Sequence, residues 1–321
     1  MTDISETEAA AAPVLIRPRR GGHRARERRQ YLTMLAPALL VYLVFDVYPK
    51  AAAIYISLFE WQGIGPMTWV GLQNYIDLFT KPLLRAEFLN AAWNNIQFFL
   101  IVMACYTLLG TAFALLLSFK VWGERVYRLV FFLPHPLATV AVAFLWGLML
   151  NPQFGPVNDA LRAIGLDSWA HPWLGDAATA LPTLALINVW HLIGFPILLL
   201  LAGVTSMRTD IVEAAFLDGA TRWQVVRHII LPQLKPVYVL LGLLVFIGSF
   251  NTFELVFVLQ GVEAGPYGST DLLATMFYRL AFGGIGATVT YFGLGSAVAV
   301  VTAILILPAS IYFALRNMRR A

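Results

Sequence analysis

Six intervals of the chain stay apolar over the length of a bilayer-spanning helix, and most polar residues fall between them. They cover about 31–59, 95–119, 127–150, 178–204, 236–260 and 286–315, against the roughly 20 residues that a spanning helix needs. None alternates with the two-residue period of a membrane β-strand. The pattern therefore predicts an all-α integral membrane protein with six transmembrane helices. It divides the chain into a tail (1–30), a first transmembrane helix (31–59), a polar loop (60–94), a block of five further spans (95–315) and a short second tail (316–321). Prolines at Pro37, Pro49, Pro134, Pro136, Pro182, Pro196 and Pro308 punctuate the spans. They fit kinks around a central path and the ordinary proline content of membrane helices equally well.

Composition agrees with this reading. Of 321 residues, 59% are hydrophobic and only 12% charged, with mean hydropathy +0.72, whereas soluble domains carry about 25% charged residues. Charge sets the orientation, because cytoplasmic flanks retain Lys and Arg. With the N-terminus inside, only Lys50, Lys81, Arg85, Arg162 and Arg279 of the 22 cations fall outside. Both termini are thus expected in the cytoplasm. The Arg-rich tail (Arg17 to Arg29) abuts the first span, which fits an inner-leaflet role better than nucleic-acid binding. The apolar run after it reads as a retained signal anchor. The single cysteine, Cys105, lies in an apolar run and forms no intrachain disulfide.

The inner loop "EAAFLDGATRWQVVRHIILPQL", Glu213–Leu234, carries the strongest local signals. Asp210 with Glu213 is a weak capping box, predicting a helix from about Ile211 that ends at Gly219. Thr221 with Gln224 is a better box, starting a second helix that Pro232 is expected to end. In that helix Trp223, Val226 and Ile230 form an apolar stripe. Ala214 and Ala215 keep the first helix slim enough to enter a partner's cleft, while Glu213 caps its own helix or faces that partner.

This loop resembles the EAA signature of permease subunits of bacterial binding-protein-dependent ABC importers, with Glu213, Ala214, Ala215, Asp218, Gly219, Ala220, Leu231 and Pro232 at its recurrent positions. The segments "LTMLAPALLVYLVFDVYP", "WVGLQNY", "NVWHLIGFPILLLLAGV", "FNTFELVFVL" and "GSTDLLATMFYRLAF" extend the resemblance to the MalF-like, sugar-importer branch. Two features depart from that branch: a longer third outer loop, "QGVEAGP", and the lack of a large extra outer domain. The resemblance implies the type I importer permease fold, with 206–235 as a cytoplasmic coupling loop. Its short helix would sit in a cleft of a dimeric ABC ATPase, Glu213 meeting a basic residue there. It also implies a second, MalG-like permease and an extracytoplasmic sugar-binding protein docked outside. ATP and Mg would be bound by the ATPase, since this chain has no P-loop sequence; no cofactor, metal or catalytic residue is expected here.

At 1.5 Å per residue, Trp190 and His191 fall near mid-depth of the fourth span, and Asn251 and Glu254 in the outer half of the fifth. The latter two, three positions apart, are expected on one side. The resemblance places sugar contacts in the middle of these spans, which selects Trp190, His191, Gly194, Asn251 and Glu254. Two blander roles stand beside these: His191 as a satisfied core histidine and Glu254 as an interfacial carboxylate. His135, between two prolines, reads as structural. Permeation of another polar solute, such as a glycerol phosphate ester, is the first alternative. An ion-coupled secondary transporter is the second, weakened because only Asp46 and Glu254 lie within spans and both lie outward of centre.

Overall fold

A computed structural model describes residues 22–118, 123–284 and 289–318. The cations Arg17, Arg19, Arg20, Lys120, Arg319 and Arg320, and the first positions expected in the last span, lie outside the described residues.

The chain divides into two units, residues 1–52 and 53–321. In the first, helix α1 (Gly22–Tyr42) passes through a π-helical turn, Leu43–Val47, into α2 (Tyr48–Ile56), which continues past the boundary at residue 52. Asp46 and Lys50 are ion-paired at 2.8 Å, one turn apart on its exposed surface. Residues Gln30–Ile56 are long and apolar enough to cross a membrane.

The second unit opens with a two-stranded hairpin, β1 (Phe59–Glu60) antiparallel to β2 (Thr68–Trp69). Helix α3 (Gln73–Thr80) follows, and Asn74 Nδ2 donates to the Ser57 and Phe59 carbonyls, tying the helix to the strand. Then come α4 (Pro82–Cys105), a π-helical turn (Tyr106–Gly110), α5 (Thr111–Ser118), α6 (Glu124–Phe132), α7 (Thr139–Met149) and α8 (Pro156–Ala163). Next are α9 (Ala177–Leu192), α10 (Gly194–Thr205), α11 (Thr209–Leu217), α12 (Arg222–Val225) and α13 (Leu231–Gln233). The unit closes with α14 (Lys235–Asn251), α15 (Glu254–Gln260), α16 (Leu273–Phe282) and α17 (Phe292–Met318). Helix α5 packs on α10, α4 on α9, α7 on α15, and α16 on α17. The first three pairs share a core built from residues such as Phe98, Leu184, Ile197, Leu200 and Leu241, all nearly fully buried, whereas Leu273, Met276, Leu294 and Val298 of the last pair form a separate cluster with Phe88 and Phe250.

The six expected spans appear in a different form. Three helices among the described residues are continuous and apolar enough to cross, and two bent pairs raise the number to five. The pair α9–α10 bends by 56° and the pair Arg222–Gln233 with α14 by 59°. Each bend has a proline just beyond it, Pro196 and Pro236, whose missing N–H leaves a carbonyl of the preceding turn without its helical donor. The expected span 127–150 is divided into α6 and α7 by a turn through Pro134 and Pro136. The helix expected from 95 begins instead at Pro82. Polar residues of this helix are used inside the protein. Asn95 Nδ2 donates to the Ser249 carbonyl at 2.9 Å, its Oδ1 accepts from the Leu273 amide at 2.8 Å, and Asn94 donates to the Asp271 carbonyl at 3.0 Å.

Candidate functional site: a bundle cavity and an exposed inner loop

Helical periodicity brings three stripes together around a cavity of about 240 Å³. From α4 and the π turn come Phe98, Val102 and Tyr106, each four residues apart. From α9 and α10 come Asn188, Leu192, Phe195 and Pro196. From α14 and its end come Leu241, Leu244, Val245, Gly248, Ser249 and Thr252, with His135 closing the site from the α6–α7 turn. The walls are mainly apolar, with a few convergent polar groups, as small-molecule sites generally are. Ser249 Oγ donates to the Val245 carbonyl and Thr252 Oγ1 to the Gly248 carbonyl, so both hydroxyls keep acceptor capacity. Tyr106 Oη and His135 Nδ1 are buried and find no hydrogen-bond partner among the described residues. Leaving such a group unpaired costs about 1–3 kcal/mol.

None of the five positions chosen from the sequence lines this cavity. Trp190 lies two residues beyond Asn188, roughly 200° around the helix, and meets Trp146 edge to face at 5.5 Å. His191 is buried, and its Nε2 lies 3.0 Å from the Leu137 carbonyl, joining α9 to the segment after Pro136. At Gly194 a Cβ would sit 2.8 Å from the Phe131 carbonyl oxygen, so the residue permits close approach of α6. Asn251 is exposed and its amide donates to the Ile247 carbonyl of its own helix. Glu254 is exposed in the first turn of α15. Because α14 ends at Asn251 and α15 starts at Glu254, the expected i, i+3 pairing of these two residues does not hold. The signal that would have found the cavity was the face on which Asn188, Ser249 and Thr252 lie, not depth along the span. His135, read as structural, is one of its walls.

The inner loop forms the expected helix, corner and helix. Helix α11 ends in a Schellman motif: the Ala220 amide bonds the Ala215 carbonyl at 2.9 Å, the Gly219 amide bonds the Phe216 carbonyl at 3.1 Å, and Gly219 has φ +85°. The Thr221–Gln224 capping box is present, with Thr221 N–H donating to Gln224 Oε1 at 2.7 Å and Gln224 N–H donating to Thr221 Oγ1 at 3.3 Å. Three details differ from expectation. No Asp210–Glu213 box forms; Arg208 caps α11 through its backbone position, and the Asp210 carboxylate pairs with the Arg208 guanidinium. That hydrogen bond holds the Asp210 carboxyl below the usual carboxylate range. The second helix runs one residue past Pro232, to Gln233, after a π-helical turn, Val226–Ile230, that shifts the hydrogen-bond register. Trp223 is exposed, and Val225 joins Val226, Ile230 and Leu234 in the packed cluster beneath. Ala215 and Ala220 pack partly against that cluster, whereas Glu213, Ala214, Phe216, Leu217, Asp218 and Gly219 are exposed.

Comparison with known proteins places this geometry. The model of the binding-protein-dependent transport system inner membrane component matches residues 106–320. The probable ABC transporter permease protein YurN of Bacillus subtilis is 33% identical over 281 residues, 86% of this chain and 92% of the relative. The trehalose/maltose transport system permease protein MalF of Thermococcus litoralis is 32% identical over 292 residues, 90% and 93% of the two chains. The sn-glycerol-3-phosphate transport system permease protein UgpA of Escherichia coli is 30% identical over 257 residues, 78% and 83%. Among solved structures, a chain of a bacterial ABC transporter involved in import of the acidic polysaccharide alginate superimposes with TM-score 0.73 at 25% identity, covering 92% of this chain and 98% of that one. With the family match extending over more than half of its length, the chain belongs to the binding-protein-dependent inner membrane components, the membrane-spanning permeases of ABC importers.

Proposed function

We propose that this chain forms half of the translocation path of an ATP-driven importer for a sugar or oligosaccharide in a bacterial cytoplasmic membrane. The observation that carries the proposal is the cavity between α4, α9, α10 and α14, mainly apolar with Asn188, Ser249 and Thr252 among its walls. Sugar-transporting relatives support the solute class. In this reading the chain spans the membrane six times, α6 and α7 together supplying one crossing, with both termini cytoplasmic as the cation distribution favours. Residues 60–94 lie outside, and residues 206–235 form the coupling loop inside.

The exposed edge of α11, with Glu213, Ala214, Asp218 and Gly219, would seat in a dimeric ABC ATPase that binds ATP and Mg, and Ala215 and Ala220 would hold it on the bundle. A second, MalG-like permease would complete the path, and Trp190, Asn251 and Glu254 are exposed where such a partner can meet them. An extracytoplasmic binding protein would deliver the solute. The glycerol phosphate reading has one relative behind it. Purification of the complex from native membrane tests the proposal: an ATPase and a second permease should copurify with this chain, and recovery of the chain without any ATPase would overturn it.

A further inference from the structure

We infer that Val237 and Tyr238 are the positioning residues through which the inner loop acts on the cavity, with the hydrogen bond between Tyr238 and Thr111 as the fixed point. This rests on the reading of residues 206–235 as the loop that meets an ATPase. The second helix of the loop, Arg222–Gln233, meets α14 at the 59° bend, and Leu234 at the corner is fully buried. From that corner Leu234, Tyr238, Leu241 and Val245 follow at spacings of four, three and four, which puts them on one face of the helix. The last two line the cavity. One helical face thus runs from the loop to the cavity wall.

Two apolar clusters meet at the start of this face. Val225, Val226, Ile230 and Leu234 form the one beneath the loop, and Leu241 and Val245 belong to the core around the cavity. Among the described residues, Val237 and Tyr238 pack against both. Two contacts brace the junction. At Gly203 of α10 a Cβ would sit 2.8 Å from Leu234 Cδ2 and 2.9 Å from Val237 Cγ2, so α10 presses directly on the corner. Tyr238 Oη and Thr111 Oγ1 are hydrogen-bonded at 2.8 Å, and Thr111 opens α5 immediately after the π-helical turn Tyr106–Gly110. Tyr106, at the start of that turn, lines the cavity too. A tilt of the loop helix therefore reaches two walls, through the face of α14 and through the hydroxyl pair to the π turn. Packed side chains switch between discrete arrangements rather than deform continuously, so a shift at the corner is carried onward instead of being absorbed. Phenylalanine at position 238 would keep the packing and lose only the hydrogen bond, which separates a coupling role from a packing one.

The test uses the complex of this chain, the second permease and the ATPase in nanodiscs with the binding protein added. The chain carries Cys105→Ser and a reporter, Leu244→Cys, at an exposed position of the cavity wall. The rate at which a methanethiosulfonate reagent modifies the reporter follows the population of the open cavity. It is measured without nucleotide and after trapping with ATP, Mg and vanadate, and trapped nucleotide is counted in the same samples. Trapping is expected to change the rate at least about fivefold, the lower end of ordinary couplings between sites. Tyr238→Phe and Thr111→Val should each cut that change to less than about twofold with nucleotide still trapped, and the two together should do no more than either alone. Thr111→Ser, which keeps the hydroxyl, should retain the full change. A full response in Tyr238→Phe or Thr111→Val, an equal loss in Thr111→Ser, or a double variant clearly worse than either single one would overturn the inference. So would failure of both single variants to assemble or trap nucleotide, which would make the pair structural, or a trapped complex whose reporter rate does not change. Absence of any ATPase in the unsubstituted preparation would instead count against the permease reading beneath it.

Discussion

Replacing Arg279 by Ala should destabilise the protein by about 3–5 kcal/mol, the range for breaking a buried ion pair from one side. Arg279 Nη2 lies 2.6 Å from Asp271 Oδ2 and Nη1 lies 3.1 Å from Oδ1, a bidentate pair. The Asp271 side chain is 3% exposed, so truncation leaves its carboxylate in a nearly dry setting, with the Thr275 hydroxyl still donating to it at 2.7 Å. Arg279 also reaches the Val262 carbonyl, so the change unfastens both sides of the segment leading from α15 into α16. Glu87, at 3.5 Å and 36% exposed, offers a weaker contact, and Glu87→Gln should cost under about 1 kcal/mol. Removing both charges together, Asp271→Asn with Arg279→Met, should recover much of the loss, because no unpaired charge then remains buried. Equilibrium unfolding in mixed micelles with increasing SDS provides the free energies. A cost below about 1 kcal/mol for Arg279→Ala, or a double variant no better than the single one, would refute the reasoning.

Three further substitutions probe other parts of the molecule. Asn95→Leu orphans the buried Leu273 amide and leaves the Ser249 carbonyl with the long 3.4 Å bond from the Thr252 amide, and should lower stability by about 1–3 kcal/mol in the same assay. Gly219→Ala meets no atom within 4 Å, so its expected cost of about 1–2 kcal/mol comes from left-handed backbone strain alone and should appear as fraying of α11 in hydrogen exchange. Glu213→Ala removes an exposed carboxylate and should leave the unfolding curve unchanged while lowering solute-stimulated ATP hydrolysis by the assembled complex.

What the sequence made legible was local. The Gly219 corner and the Thr221–Gln224 box depend on residues a few positions apart, and both form as their chemistry requires. Long apolar runs likewise became helices. The misses were tertiary. Hydropathy passed over the start of α4 because Arg85, Glu87, Asn90 and Asn94 interrupt its apolar run, although the Asn90 and Asn94 amides donate to the Gly268 and Asp271 carbonyls. The Pro134–Pro136 turn was absorbed into an apolar run, since composition does not register a break that costs no polarity. The cavity was missed for a related reason. Depth along a span selected Trp190 and His191, but the angular register of α9 gives the inward position to Asn188, and the break after Asn251 separates it from Glu254.

The most direct measurement of the central claim is solute uptake into proteoliposomes containing the purified complex and its binding protein. The account predicts that a radiolabelled sugar accumulates only when ATP and Mg reach the ATPase side, and that imposing a proton or sodium gradient without ATP drives no accumulation. Uptake driven by an ion gradient without ATP would contradict it.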